Sequence, residues 1–152
     1  MGMAFEDFAV GQVHDLGSVV VEEAEVLAFA ERYDPQPFHT DPVAAAASPF
    51  GGLIASGWHT CAMFMRLYVD RLLAGSTSQG SPGVEELRWL APVRPGMRLT
   101  GTVRVLDVAA STRRPGRGTV TTDSELVAED GTVVLRMQAR GLFGTRAAVP
   151  PA

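Results

Sequence analysis

Asp34 and His39 stand five residues apart in "YDPQPFHTDP" (residues 33–42), with Pro35 and Pro37 between them. A carboxylate and an imidazole are common partners in general acid–base chemistry. Their ordinary pKa values, about 3.9 and about 6.5, leave one ionised and the other able to exchange a proton near neutrality. The two prolines remove two backbone donors and fix two φ angles, which lowers the cost of holding both side chains in place. They predict an irregular stretch, held out of helix, between the acid and the histidine. A neutral imidazole accepts one hydrogen bond and donates another, as a residue that positions water must. The plainer reading of the same residues is a backbone cap at Asp34 and an ordinary loop histidine at 39.

A second cluster follows in "GGLIASGWHT" (51–60). Gly57 falls where loop turns into helix, so its N–H is one of the four donors a helix start leaves unpaired. Such an N–H, aided by the helix dipole, suits a carbonyl oxygen that gains negative charge. Gly52, Ser56 and Trp58 lie beside it as substrate contacts, and the missing side chains of the glycines let a substrate approach the backbone. The same glycines also serve simple turns, so that alternative stays open. Metal binding finds little support. His59 and Cys61 are two apart on a predicted helix and face different ways, and His39 with Asp41 lacks a third ligand. No metal site is expected, and Cys61 reads as a buried apolar residue. "RRPGRG" (113–118) gathers Arg113, Arg114 and Arg117 in one turn, either a phosphate clamp or a solvated hairpin tip.

The surrounding pattern must position these groups. Residues 13–21 are rich in β-branched residues and predict a strand. From Glu22, apolar residues at Val26, Phe29, Ala30 and Tyr33 predict a helix that Pro35 ends near Tyr33. Thr40 or Asp41 is placed to cap a short helix through the alanine run 44–47. Residues 57–73 predict a long helix, apolar on almost every side up to Met65 and therefore centrally buried. Beyond "GSTSQGSPG" (75–83), a linker-like stretch, period-two alternation over 97–105 and 133–143 predicts strands, with "EDG" (129–131) as a tight hairpin turn. The expected class is α+β: an antiparallel meander of about four strands, a fifth strand from the N-terminal part, and one buried helix.

The chain of 152 residues suits one domain, residues 1–152, and 46% hydrophobic with 20% charged residues is the balance of a globule with a real core. A net charge of −4 and a pI near 5.3 supply no field for nucleic acid or anionic membrane. One cysteine excludes an internal disulfide and fits a reducing compartment. The first residues have neither a basic start nor an apolar run, so a cytoplasmic location is expected.

The Asp34-x4-His39 pair with "HTDP" after it resembles the signature of the MaoC-like dehydratases, which include the R-specific enoyl-CoA hydratases. The resemblance extends to "GGLIASGWHT", to "GSPGVEELRWLAPVRPGMRL" and to "RRPGRG". Gln36 stands where that signature commonly has asparagine, and Ser56 where many relatives have histidine. The fold implied is the hot dog, a curved antiparallel sheet wrapped around a central helix. The activity implied is addition of water to the 2,3 double bond of an enoyl thioester, or its removal from a (3R)-hydroxyacyl thioester. On this resemblance Asp34 and His39 activate the water and the Gly57 N–H meets the thioester oxygen. Coenzyme A is expected as part of the substrate and not as a separate cofactor, and the partner is a second copy in a homodimer or larger assembly. Two alternatives are a hot-dog thioesterase, which would leave His39 idle, and a non-catalytic acyl-CoA-binding protein, which would tolerate loss of Asp34.

Overall fold

Five strands form one antiparallel sheet in the order β1-β3-β4-β5-β2, in a computed structural model that describes residues 2–148. The strands are β1 (Val13–Val20), β2 (Gly83–Trp89), β3 (Arg98–Ala110), β4 (Arg117–Ala128) and β5 (Val133–Gly144). The expected alternation is realised in β3, where Leu99, Val103 and Val105 are buried while Arg98, Thr100 and Arg104 are exposed. These side chains join Val120, Leu126, Leu135 and Phe143 against Phe64 in one core. Each such burial is worth about 1.5–3 kcal/mol.

The sheet departs from a four-strand meander. β2, the first strand after the long helix, lies at the edge beside β5, and only β3, β4 and β5 run consecutively. Pro92 and Pro95 in the connection rule out a tight hairpin to β3, so the chain crosses to the far side of the sheet instead. A second departure lies at the start of β5. Register slips between Leu126 and Val127, so Val134 is the extra residue and both Val134 and Leu135 are buried. The stretch 75–83 is not a free linker. Residues 77–80 hydrogen-bond to the end of β5, through Gln79 N–H to Leu142 O and Leu142 N–H to Gly80 O.

Helix α1 (Glu23–Tyr33) ends as Pro35 requires, with Asp34 leaving helical geometry at φ −151°, ψ 66°. The segment after it was expected to stay out of helix. Pro37 instead starts a one-turn helix, α2 (Pro37–Thr40), because proline at the first helical position gives up a donor that has no partner there anyway. Asp41 caps α3 (Pro42–Ala46) by accepting from the N–H groups of Val43 and Ala44.

The long helix α4 (Gly57–Tyr68) runs on into a wider π-turn over Val69–Leu73. It packs on β1, β3 and α1. His59, Thr60, Met63 and Phe64 are buried, whereas Trp58, Ala62, Met65 and Val69 form an exposed stripe. Burial all round was expected from its apolar composition. The sheet covers one side, and the spacing i, i+4, i+7, i+11 puts the stripe on the other. No helix among the described residues is long and apolar enough to cross a membrane.

Candidate active site

Asp34, at the end of α1, turns its carboxylate toward the start of α4. Ser56 Oγ donates to Asp34 Oδ2 at 2.7 Å, and Gln36 Nε2 donates to Oδ1 at 2.7 Å. Each carboxylate oxygen is thus held by one donor. Donation from Ser56 is the largest influence on Asp34 and holds its carboxyl below the ordinary carboxylate range. Burial opposes this, while Gln36 and the neighbouring His39 reinforce it.

His39 sits on the single turn of α2 and is buried. Its Nδ1 lies 2.8 Å from the carbonyl oxygen of Ile54. A carbonyl only accepts, so Nδ1 carries the proton of the neutral ring and Nε2 presents a lone pair. That Nε2 faces Asp34 Oδ2 at 3.4 Å. The loop that supplies the carbonyl is itself fixed, by Ile54 N–H to Phe38 O and Ala55 N–H to Val93 O. With the ring in that neutral form, two acceptors face each other with no donor between them. A water molecule, with two O–H groups, is the simplest ligand for such a pair.

The pair opens on a cavity of about 450 Å3 whose walls include Phe38, Phe50, Ile54, Trp89, Val93 and Val134. Gly57 and Trp58 line it too. Ser56 caps α4, accepting from Trp58 N–H at 3.3 Å. Among the described residues no hydrogen bond takes up the N–H of Gly57. A β-carbon at Gly57 would overlap the indole of Trp89, so only glycine fits under that ring.

The structure therefore brings Asp34, His39, Ser56, Gly57 and Trp58 together. Gly52 is half-buried beside Arg94 and is not among the cavity's lining residues. Arg113, Arg114 and Arg117 lie on the β3–β4 turn, at the opposite end of β4 and β5 from Val134. Among the described residues no group of three or more His, Cys, Asp or Glu could hold a metal ion. Sequence reading missed the role of Gln36 and the walls made by Trp89, Val93 and Val134. Gln36 lay inside the motif, where the prolines drew attention to the backbone. A large aromatic closing a charged strand, "EELRW", was the one local sign of Trp89.

Residues 7–128 match the family described as MaoC like domain. The chain belongs to the MaoC-like family. It is 34% identical over 110 residues to the 3-hydroxyacyl-thioester dehydratase Z of Mycobacterium tuberculosis, covering 71% of this chain and 73% of that one. The crystal structure of a MaoC-like dehydratase from Rhodospirillum rubrum superposes with a TM-score of 0.88 at 44% identity, over 95% of this chain and 99% of that one. A Mycobacterium tuberculosis protein with a double hot-dog fold matches at TM-score 0.83 and 19% identity, over 99% of this chain and 47% of the other. The fold is the hot dog, and the family is one of hydratases and dehydratases.

Proposed function

We propose that this MaoC-like chain is an enoyl-thioester hydratase and, in reverse, a (3R)-hydroxyacyl-thioester dehydratase. The observation that carries the reading is His39 Nε2 facing the Asp34 carboxylate at 3.4 Å while its Nδ1 is held by the Ile54 carbonyl oxygen. Water held between them is oriented by Asp34 and loses a proton to Nε2 as its oxygen bonds to C3. The π pair of the 2,3 bond moves onto C2 and the thioester oxygen, where the N–H of Gly57 meets the charge. The proton on Nε2 then passes to C2, so one water is consumed and the imidazole is restored. General acid–base help of this kind contributes about 10²–10⁴, and a positioned oxyanion donor about 10²–10³. The apolar walls suit an acyl chain, with coenzyme A as the expected carrier.

A second copy of the chain belongs to this reading. β2 is an edge strand left open on both faces, and Trp58 (59% exposed), Trp89 (46%) and Leu90 (54%) stand uncovered beside it. The rings of Trp58 and Trp89 meet at 5.1 Å, which joins the stripe on α4 to the end of β2 in one apolar corner. An uncovered edge and corner of this kind call for a partner. The double hot-dog relative, at about twice the length, places two such folds in one chain and supports a second copy as that partner.

The test is a hydration assay over short, long, branched and dicarboxylic enoyl-CoAs, with product stereochemistry determined. Hydration to the (3R) alcohol that is lost in Asp34→Asn is the expected result. Thioester cleavage in place of hydration, or full activity in Asp34→Asn, would overturn the reading.

A further inference from the structure

The imidazole of His39 is held by one hydrogen bond, between Nδ1 and the carbonyl oxygen of Ile54. A single bond of this kind tolerates a spread of angles, so the ring can swing about it and carry Nε2 out of line with Asp34. Something has to hold the flat of the ring. Phe38 does so: the two rings meet edge to face, with centroids 4.5 Å apart at 72°.

Phe38 needs support in its turn, since it stands on the single turn of α2 and is only half-buried. Phe50 packs on it, with ring centroids 5.2 Å apart at 52°. Phe50 belongs to a largely exposed turn, residues 48–52, between α3 and the buried run 53–56. Phe50 N–H to Ser48 Oγ and Gly51 N–H to Ser48 O shape the turn locally, and it ends in two glycines. These bonds do not fix where the turn lies. Among the described residues, the hydrogen bond that ties it to a distant part of the chain comes from Arg94, whose Nη2 donates to Phe50 O at 2.5 Å.

Arg94 has a firm base. It lies in the connection from β2 to β3, pinned by Ala55 N–H to Val93 O and by Gly96 N–H to Val21 O. A β-carbon at Gly52 would stand 3.2 Å from Arg94 Nη1, so the guanidinium lies against bare backbone there. A tether that merely closed a loop could hold any exposed turn. This one holds the turn whose ring backs the ring beside the imidazole, and Phe38, His39 and Phe50 share the wall of one cavity.

We propose that Arg94 is a positioning residue for His39, acting through Phe50 and Phe38. This rests on the hydratase reading, in which Nε2 takes up and returns the proton. Without the latch the turn at Phe50 drifts, Phe38 loosens, and Nε2 spends less time in line with Asp34. A misplacement of about 1 Å at a reacting group costs up to about 10² in rate, so partial loosening is expected to cost less. Arg94→Ala is expected to lower kcat about tenfold with KM within about threefold. Arg94→Lys keeps an N–H donor for the one carbonyl and is expected to return kcat to within about threefold of the wild type. Phe50→Ala is expected to match Arg94→Ala, and the double variant to be no worse than either, because both act on one path. Phe50 is 36% exposed, so loss of its ring leaves the core closed and tests the path even if Arg94→Ala fails to fold.

The readout that a plain tether would not move is His39 itself. Side-chain 15N spectra place the two ring nitrogens far apart when one neutral tautomer is held, and His39→Gln identifies the pair that belongs to His39. Arg94→Ala and Phe50→Ala are expected to broaden that pair or draw it together. Arg104→Ala, on the face of β3 turned away from Val103 and Val105, is expected to leave it in place. An unchanged kcat in Arg94→Ala overturns the proposal, and so do His39 resonances that stay at their wild-type positions. Loss in KM alone would make Arg94 a substrate contact and overturn it too, as would losses that multiply in the double variant. Should the wild type hydrate no enoyl thioester, the hydratase reading fails separately and the spectra decide for Arg94. His39 resonances displaced in both variants then support the positioning role, and wild-type positions in either remove it.

Discussion

Two histidines, His39 and His59, are buried to the same extent, at 5% and 6% exposure, yet only one is arranged for chemistry. His39 has its Nδ1 tied to a carbonyl and its Nε2 set against a carboxylate at the wall of a cavity. His59, on the buried face of α4, stacks on Phe29 at 4.9 Å, and its Nδ1 is buried without a partner. Burial pushes the His59 ring down from its ordinary pKa, and Glu25 opposes this only in part. Burial alone therefore makes an inert ring. What sets His39 apart is an Nδ1 held by a carbonyl oxygen and an Nε2 that faces a carboxylate on an open cavity.

The comparison is most exposed to His39→Gln beside His59→Leu in the hydration assay. His39→Gln is expected to lower kcat by about 10²–10⁴, the usual size of a lost acid–base group. His59→Leu is expected to leave kcat within about twofold, since a volume-conserving apolar exchange disturbs packing least. Equal losses in both variants would mean that the two rings differ in surroundings but not in role.

Ser56→Ala sharpens the same contrast at a smaller scale, by loosening the carboxylate that gives His39 its setting. Asp34 loses its strongest donor, so its folded pKa rises toward the ordinary value. Because the carboxylate must be ionised to orient water, the acid limb of the pH–rate profile moves to higher pH. The depressed folded pKa also means that Asp34 contributes stability above its unfolded value of about 4, lost as pH falls through the folded value. That contribution shrinks in the variant. The N-cap of α4 goes with the hydroxyl, at a cost of about 0.5–2 kcal/mol. Ser56→Thr keeps a donor and is expected to restore the acid limb. An acid limb that stays put in Ser56→Ala would mean that Ser56 serves only the helix.

Much of this contrast was legible in the sequence, and the reason is locality. Asp34 and His39 lie within six residues, so their convergence depends only on the end of α1 and the turn at Pro37. Ser56 and Gly57 were placed by the loop-to-helix change alone. The walls were not legible, because Trp89 and Val134 meet only through the pairing of β2 with β5, and Val134 turns inward only through a register slip. His59 looked like part of an all-round apolar helix for a related reason. Composition tells how apolar α4 is, but not that the sheet covers one side and leaves Trp58 and Met65 bare.

The smallest expected effect separates the two histidines by stability and not by rate. A ring whose folded pKa is depressed is neutral in the folded chain but binds a proton in the unfolded chain below about 6.5. Stability is therefore full above that value and is lost as pH falls from it toward the lower folded pKa. His59 and His14 both contribute, since burial pushes each of them down. Replacing His59 by Leu removes its share while His14 keeps its own. The unfolding free energies of wild type and His59→Leu are expected to diverge between pH 7.5 and pH 5.5, with the variant relatively more stable at the acid end. At pH 7.5 they are expected to lie within about 1–2 kcal/mol, because an unpartnered polar atom is exchanged for apolar surface of similar size. Urea unfolding at four or five pH values measures this directly. Curves that stay parallel over the whole range would mean that His59 finds a proton acceptor when the chain is folded, and its likeness to His39 would then go further than burial.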